Sequence, residues 1–187
     1  MPTFYEGDAV AVLENIVTED DFVSAYVHAQ ARRGKLQLAK IKAALFLVIG
    51  TWFLLMIPTY MGWYQTFWLP VCGILVCYFL VVYYLVLLPG AVRGTARNVY
   101  LSNQLLALTH TVTVYRDSYT IENKYEKMLG HWTDIRECVE TETYFLLIGG
   151  WDRDLVVLPK RPLAESAIET LRNHFQAVFV SKYRHMK

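Results

Sequence analysis

The sequence predicts a membrane protein: a two-helix transmembrane hairpin plus a cytoplasmic α+β domain, the latter an antiparallel curved sheet closed by a C-terminal amphipathic helix. Three observations predict it. No charged residue occurs in the fifty positions between Lys42 and Arg93. Lys and Arg crowd both flanks of that stretch and are missing from its middle. Beyond it the apolar pattern takes a period of two, and after Pro162 a helical one. Of the 187 residues 55% are hydrophobic and 19% charged, where an average soluble domain carries about 25% charge. That composition argues against disorder. A formal charge of +1 argues against a basic nucleic-acid binder.

Residues 1–42 read as a cytoplasmic strand and amphipathic helix. Ala9-Val10-Ala11-Val12-Leu13 is short, apolar and β-leaning, and nothing near it offers a partner. We expect the stretch from Ala9 to Ile16 to add as a strand to a sheet formed after Thr111, since exposed sheet edges invite pairing. Thr18-Glu19-Asp20-Asp21 is a helix start: Thr18 caps, and first-turn carboxylates suit the positive end of the helix dipole. Phe22, Val23, Tyr26 and Val27 follow at helical spacing, and Gly34 breaks the helix. The acidic first thirty residues do not read as a signal peptide.

Residues 43–90 read as the hairpin. A bilayer core of about 30 Å takes roughly 20 helical residues, so the uncharged stretch fits two crossings, about Ala43 to Tyr64 and Phe67 to Pro89. Pro58 should kink the first; Pro70 suits the first turn of the second. Trp63, Tyr64 and Trp68 form an aromatic belt at the intervening turn. Arg32, Arg33, Lys35, Lys40 and Lys42 precede the spans, and Arg93 and Arg97 follow them. The positive-inside rule then places both termini in the cytoplasm, with Arg32, Arg33, Lys35 and Arg93 at the membrane interface. Gly73-x-x-x-Cys77 is a small-residue pair that lets helices approach. The spans hold no ionisable Asp, Glu, Lys, Arg or His, which argues against a pump or ion-coupled transporter.

Residues 91–187 read as the cytoplasmic domain. A helix leaving the membrane should run from Arg93 to about Leu108. Strands are expected at Thr111–Tyr115, Tyr119–Glu122, Lys124–Trp132, Ile135–Glu140, Tyr144–Ile148 and Leu155–Leu158, as one antiparallel meander. Ala164, Ala167, Ile168, Leu171, His174, Phe175 and Val178 then share one helical stripe, with Lys182, Arg184 and Lys187 as late cations suited to the dipole.

The residues Gly130-His131-Trp132-Thr133-Asp134-Ile135, Glu140-Thr141-Glu142-Thr143-Tyr144-Phe145-Leu146-Leu147 and Val156-Val157-Leu158-Pro159-Lys160-Arg161, in that order, resemble the YcxB-like family of small bacterial membrane proteins. Val112–Ile121 and Thr18-Glu19-Asp20-Asp21-Phe22 ahead of two spans are similar to it too. The resemblance implies a bacterial inner-membrane location and a C-terminal domain similar to pleckstrin-homology-like folds. It brings no catalytic residues with it.

No chemistry-bearing motif appears. The three cysteines, Cys72, Cys77 and Cys138, form no Cys-x-x-Cys, and the five histidines have no metal-ligand spacing. No Gly-x-Gly-x-x-Gly, P-loop or Gly-x-Ser-x-Gly occurs. We therefore expect no enzyme, no metal and no cofactor. Lys160 and Arg161 sit where a strand meets a helix and suit a lipid headgroup or partner contact. Trp151, between Gly150 and Asp152, is hard to bury and suits a partner surface, whereas Trp132 reads as core. The expected function is a membrane-anchored interaction or regulatory protein. Its partners would be the bilayer and a protein, or a lipid headgroup; homo-oligomerisation stays open. An immunity-type partner of a membrane-targeting toxin and a lipid-acting enzyme are the competing readings.

Overall fold

A computed structural model describes residues 8–60, 68–149 and 155–186. The chain divides into two compact units, one built from the residues up to Tyr26 and from Arg97 onward, the other from Val27–Ala96.

The described residues of the first unit form eight strands in two four-stranded sheets. Strand β1 (Ala11–Asn15) pairs antiparallel with β2 (His110–Val114), as expected, in the register Ala11↔Val114 to Asn15↔His110. β3 (Ser118–Glu122) and β4 (Lys127–His131) complete this sheet. The second has the order β7-β6-β5-β8, from β5 (Ile135–Glu140), β6 (Tyr144–Gly149), β7 (Leu155–Pro159) and β8 (Tyr183–His185). The expected single meander is thus two sheets. The chain changes sheet at a short 3-10 turn, Trp132–Asp134. There Trp132 turns inward, its indole N–H donating to the Tyr115 carbonyl at 3.1 Å, so the ladder cannot run on through it.

Helix α5 (Glu165–Phe179) buries Ile168, Leu171, Phe175 and Phe179. Phe175 meets Phe145 edge-on at 5.5 Å and Trp132 at 5.7 Å, arrangements that aromatic quadrupoles favour. The late cations do not extend this helix. Val180 adopts a left-handed φ of 41°, which a β-branched residue adopts only under strain. The chain then returns as β8, parallel to β5 with Cys138↔Tyr183 and Glu140↔His185. In the first sheet, Gly130 of β4 has no room for a Cβ, which would overlap the Tyr119 ring. That ring is buried and packs on Trp132 at 4.9 Å, so it cannot step aside. Gly130→Ala should therefore cost about 1–3 kcal/mol, read as a lowered urea midpoint with an unchanged slope.

Helix α1 (Glu19–Arg32) begins at the expected cap: the Thr18 hydroxyl oxygen accepts the Asp21 N–H at 3.4 Å and the Asp21 carboxylate accepts the Thr18 N–H at 3.3 Å. Gly34, at φ 84°, separates it from α2 (Lys35–Tyr60). Pro58 lies inside α2. A second long helix comprises α3 (Trp68–Val82), a wider π-helical turn at Tyr83–Leu87, and α4 (Leu88–Ser102). Neither Pro89 nor Leu108 ends it as expected. The Leu88 N–H reaches back five residues to the Tyr83 carbonyl, and this π turn absorbs the irregularity that Pro89 imposes. The helix stops at Ser102, where the Asn103 side chain accepts the Leu105 N–H at 3.2 Å and starts a separate 3-10 turn, Gln104–Ala107.

Leu36–Pro58 and Trp68–Ser102 are long and apolar enough to cross a membrane, and only 11% of the most apolar stretch of each is buried. In the second unit α2 and α3 pack through small residues. A Cβ on Gly50 would lie 3.2 Å from the Cys77 Cβ, and one on Gly73 3.0 Å from the Phe53 ring. The pair Gly73 and Cys77 thus lies in this helix contact. Phe46 stacks on Tyr84 at 6.1 Å.

Candidate functional site

The charged residues singled out at the end of β7 face different ways. Lys160 turns inward. Its ammonium donates to Glu140 Oε1 at 2.7 Å and to the Thr141 carbonyl at 2.6 Å, and lies 4.6 Å from the centre of the Phe145 ring. Arg161 reaches back to α1, donating to the Asp21 carboxylate and to the Thr18 hydroxyl. The two cations therefore hold the domain together, one across the second sheet and one between the β7–α5 connection and the α1 cap. Trp151, like Trp63 and Tyr64, lies outside the described residues. Arg32 ends α1 and Arg33 follows it, both half-buried, Lys35 opens α2, and Trp68 and Arg93 are exposed.

The centre of this polar cluster is Glu140. Its side chain is 1% exposed, and period-two parity on β5 gives no warning of it. Arg172 of α5 grips it with Nε and Nη2 at 2.8–3.2 Å. The Tyr183 hydroxyl of β8 donates to it as well, and His185 Nδ1 stands 3.5 Å away. Burial pushes the carboxyl pKa up, but hydrogen bonds from Arg172, Lys160 and Tyr183 outweigh that and hold it at about 2. The neighbouring Cys138 thiol is pushed well up by burial and by Glu140 and Glu137, which leaves it an unreactive thiol. Burial and the bond to Glu140 likewise raise Tyr183. One carboxylate so ties β5, β7, β8 and α5 together. The donors of Lys160, Arg172 and Tyr183 all point at it. This cluster is architecture.

A different place is open. At the end of the first sheet where β1 stops and β2 starts, a cavity of about 260 Å³ lies between the two sheets. Asn15, Val17, Leu106, His110, Ile121 and Met128 line it from one side and Leu155, Val156 and Val157 from the other. The Asn15 amide donates to the Val157 carbonyl at 2.9 Å and so bridges β1 to β7. Asn15 and His110 oppose each other across the β1–β2 ladder. They continue the inward rows of Leu13 and of Val112 and Val114, positions where a sheet facing a core ordinarily carries apolar side chains. That parity is the signal by which sequence reasoning could have found them. His174 is the other inward histidine. Burial lowers its pKa, and it packs against Trp132 at 5.9 Å. Among the described residues no group of three His, Cys, Asp or Glu is placed to hold a metal.

Residues 114–175 match the model of the YcxB-like protein family. This segment is similar to that family. The YcxB-like segment runs from the end of β2 into α5, and it includes Trp132, Glu140, Lys160, Arg161 and Arg172. It leaves β1, the two long helices and Tyr183 outside. No curated protein and no solved structure matches the chain.

Proposed function

We propose that this protein is a membrane-anchored binding module, held by a helical hairpin in a bacterial inner membrane, whose YcxB-like domain engages a protein partner on the cytoplasmic side. The observation that carries the reading is the place of the hairpin in the chain. Both long helices lie between β1 and β2, which pair residue for residue. Two strands of one sheet share a compartment, so whatever separates them must cross a bilayer an even number of times. Two apolar helices fit that, and the seven Lys and Arg residues flanking them favour an inside location for the shared compartment. Apolar side chains face outward all along these helices, among them Leu45, Val48, Trp52 and Leu55, then Leu69, Leu75, Val76 and Phe79. Such a surface is stable against lipid and not against water.

The domain's layout supports a pleckstrin-homology-like reading: two sheets, antiparallel except where β8 joins β5, and one amphipathic helix on their shared core. The inward commitment of Lys160 weakens recognition of a headgroup at the β7–α5 junction and favours a protein partner.

Alkaline phosphatase fused before residue 1 or after Lys187 should be inactive, and the same reporter inserted within residues 61–67 should be active. Activity from either terminal fusion, or release of the chain from membranes by alkaline carbonate, would refute the anchoring.

A further inference from the structure

We infer that the cavity between the two sheets is a binding site for a neutral single-chain amphiphile whose head is a hydroxyl, such as a medium-chain alcohol or a monoacylglycerol. This goes beyond the anchoring role and does not depend on it. Most of the lining is aliphatic: Val17, Leu106, Ile121, Met128, Leu155 and Val157. Asn103, Tyr119 and Glu126 also line it, and two further polar side chains, Asn15 and His110, are set into it. Asn15 is 6% exposed and His110 8%, so both are more than nine-tenths buried. The Asn15 amide nitrogen is engaged by Val157, while its Oδ1 accepts no hydrogen bond from a described residue. Neither ring nitrogen of His110 has a partner among the described residues. Polar groups set against an apolar wall cost free energy unless a partner or water satisfies them, and an apolar pair here, like Leu13 and Val112 in the next row, would avoid that. Local rules broken without compensation mark functional positions.

The chemistry of the lining selects the ligand. Asn15 Oδ1 only accepts, so the head must donate. A hydroxyl donates to it and can also exchange a hydrogen bond with the His110 imidazole. Among the described residues no Lys or Arg lines the cavity, and Glu126 stands at it, so a carboxylate or phosphate head would meet no counter-charge from them and would lie beside a like charge. The volume of about 260 Å³ corresponds to about nine water-sized volumes, enough for a head and a chain of about eight to ten carbons. Apolar walls with a few convergent polar groups are the usual make-up of a small-ligand site.

The test uses the full chain held in amphipol, which supplies no free single-chain detergent. A decanol analogue carrying a diazirine on its chain is photolysed with it, and the adducts are mapped by peptide mass spectrometry. Adducts are expected on the peptides bearing Ile121, Met128 and Leu155–Val157. Decanol and monodecanoylglycerol should compete, and decane and decanoate should compete at least about tenfold less well. Met128→Trp, at an exposed position of β4, should block the mouth and abolish these adducts without disturbing the fold. His110→Phe should weaken competition by decanol about fivefold, the equivalent of one hydrogen bond. Adducts confined to α2 and α3, equal competition by decanoate, or adducts that survive Met128→Trp would each overturn the inference. Each of these results leaves the reporter and carbonate results untouched, so a dry or blocked cavity and a failed anchor are told apart.

Discussion

Glu140→Gln should destabilise the soluble unit by about 3 kcal/mol at pH 7, and the deficit should disappear on acidification. Removing one member of a buried ion pair typically costs about 3–5 kcal/mol, because the remaining charge is left without its partner. Here two cations lose it, but Arg172 is about one-third exposed and can turn to water, so the lower end applies. The pKa leads to the same figure. A carboxyl at 4.5 in the unfolded chain and about 2 in the folded one contributes about 3 kcal/mol. The folded value is depressed, so the unfolded chain binds the proton more readily. That contribution is complete above about pH 4.5 and is lost as pH falls through about 2. Urea unfolding of the full chain, followed by amide exchange in β5 and α5, should show the wild type losing stability across that window. The Gln variant should lose correspondingly less, the two curves converging near pH 2. A gap that stays constant with pH would mean that the variant acts through packing. Joint replacement of Glu140 by Leu and Lys160 by Met should cost less than Glu140→Gln, since it removes the charge and one of its claimants together.

Most elements of this fold follow from local pattern. The uncharged stretch marks two helices. The β-branched and aromatic runs mark strands within a residue or two of where they form, and the Ile168, Leu171, Phe175 stripe marks the closing helix. What the pattern hides is set by contacts distant in sequence. Tyr183–His185 reads as the tail of a helix because Lys182 and Arg184 suit its dipole. It becomes a strand because the free edge of β5 lies beside it and the Glu140 carboxylate accepts the Tyr183 hydroxyl. Lys160 reads as a cation open to a headgroup because its partner lies twenty residues earlier, on another strand. The break between the sheets turns on Trp132, legible as core but not as a corner. The cavity is visible in part: once β1 and β2 are paired, parity alone sets Asn15 and His110 on the inward face. That they oppose each other, and that β7 supplies the facing wall, depends on a register and a sheet-to-sheet approach which no local pattern carries.

The pairing of β1 with β2 makes the largest demand on the domain, because the strand arrives from the far side of the hairpin in sequence. Leu13 is buried in the same core as Val112, Phe145 and Phe175, and Asn15 bridges to β7. Val12, between them in parity, is exposed. Deleting residues 1–16 removes a five-residue ladder, a buried leucine worth about 2–5 kcal/mol and a buried hydrogen bond worth about 1 kcal/mol. It also opens the β2 edge to water. A loss of at least about 4 kcal/mol is comparable to the whole stability of a small domain, about 5–15 kcal/mol, so the truncated chain should lose its cooperative melt or approach that limit. Deletion alone cannot separate a strand from an arm that merely covers the core, and parity can. Leu13→Asp places a charge in the core and should destabilise nearly as much as the deletion. Val12→Asp points it to solvent and should fall within about 0.5 kcal/mol of the wild type. Equal effects at the two positions would mean that Ala11–Asn15 does not sit in the sheet as an alternating strand, and the even-crossing argument for the hairpin would lose its premise with it.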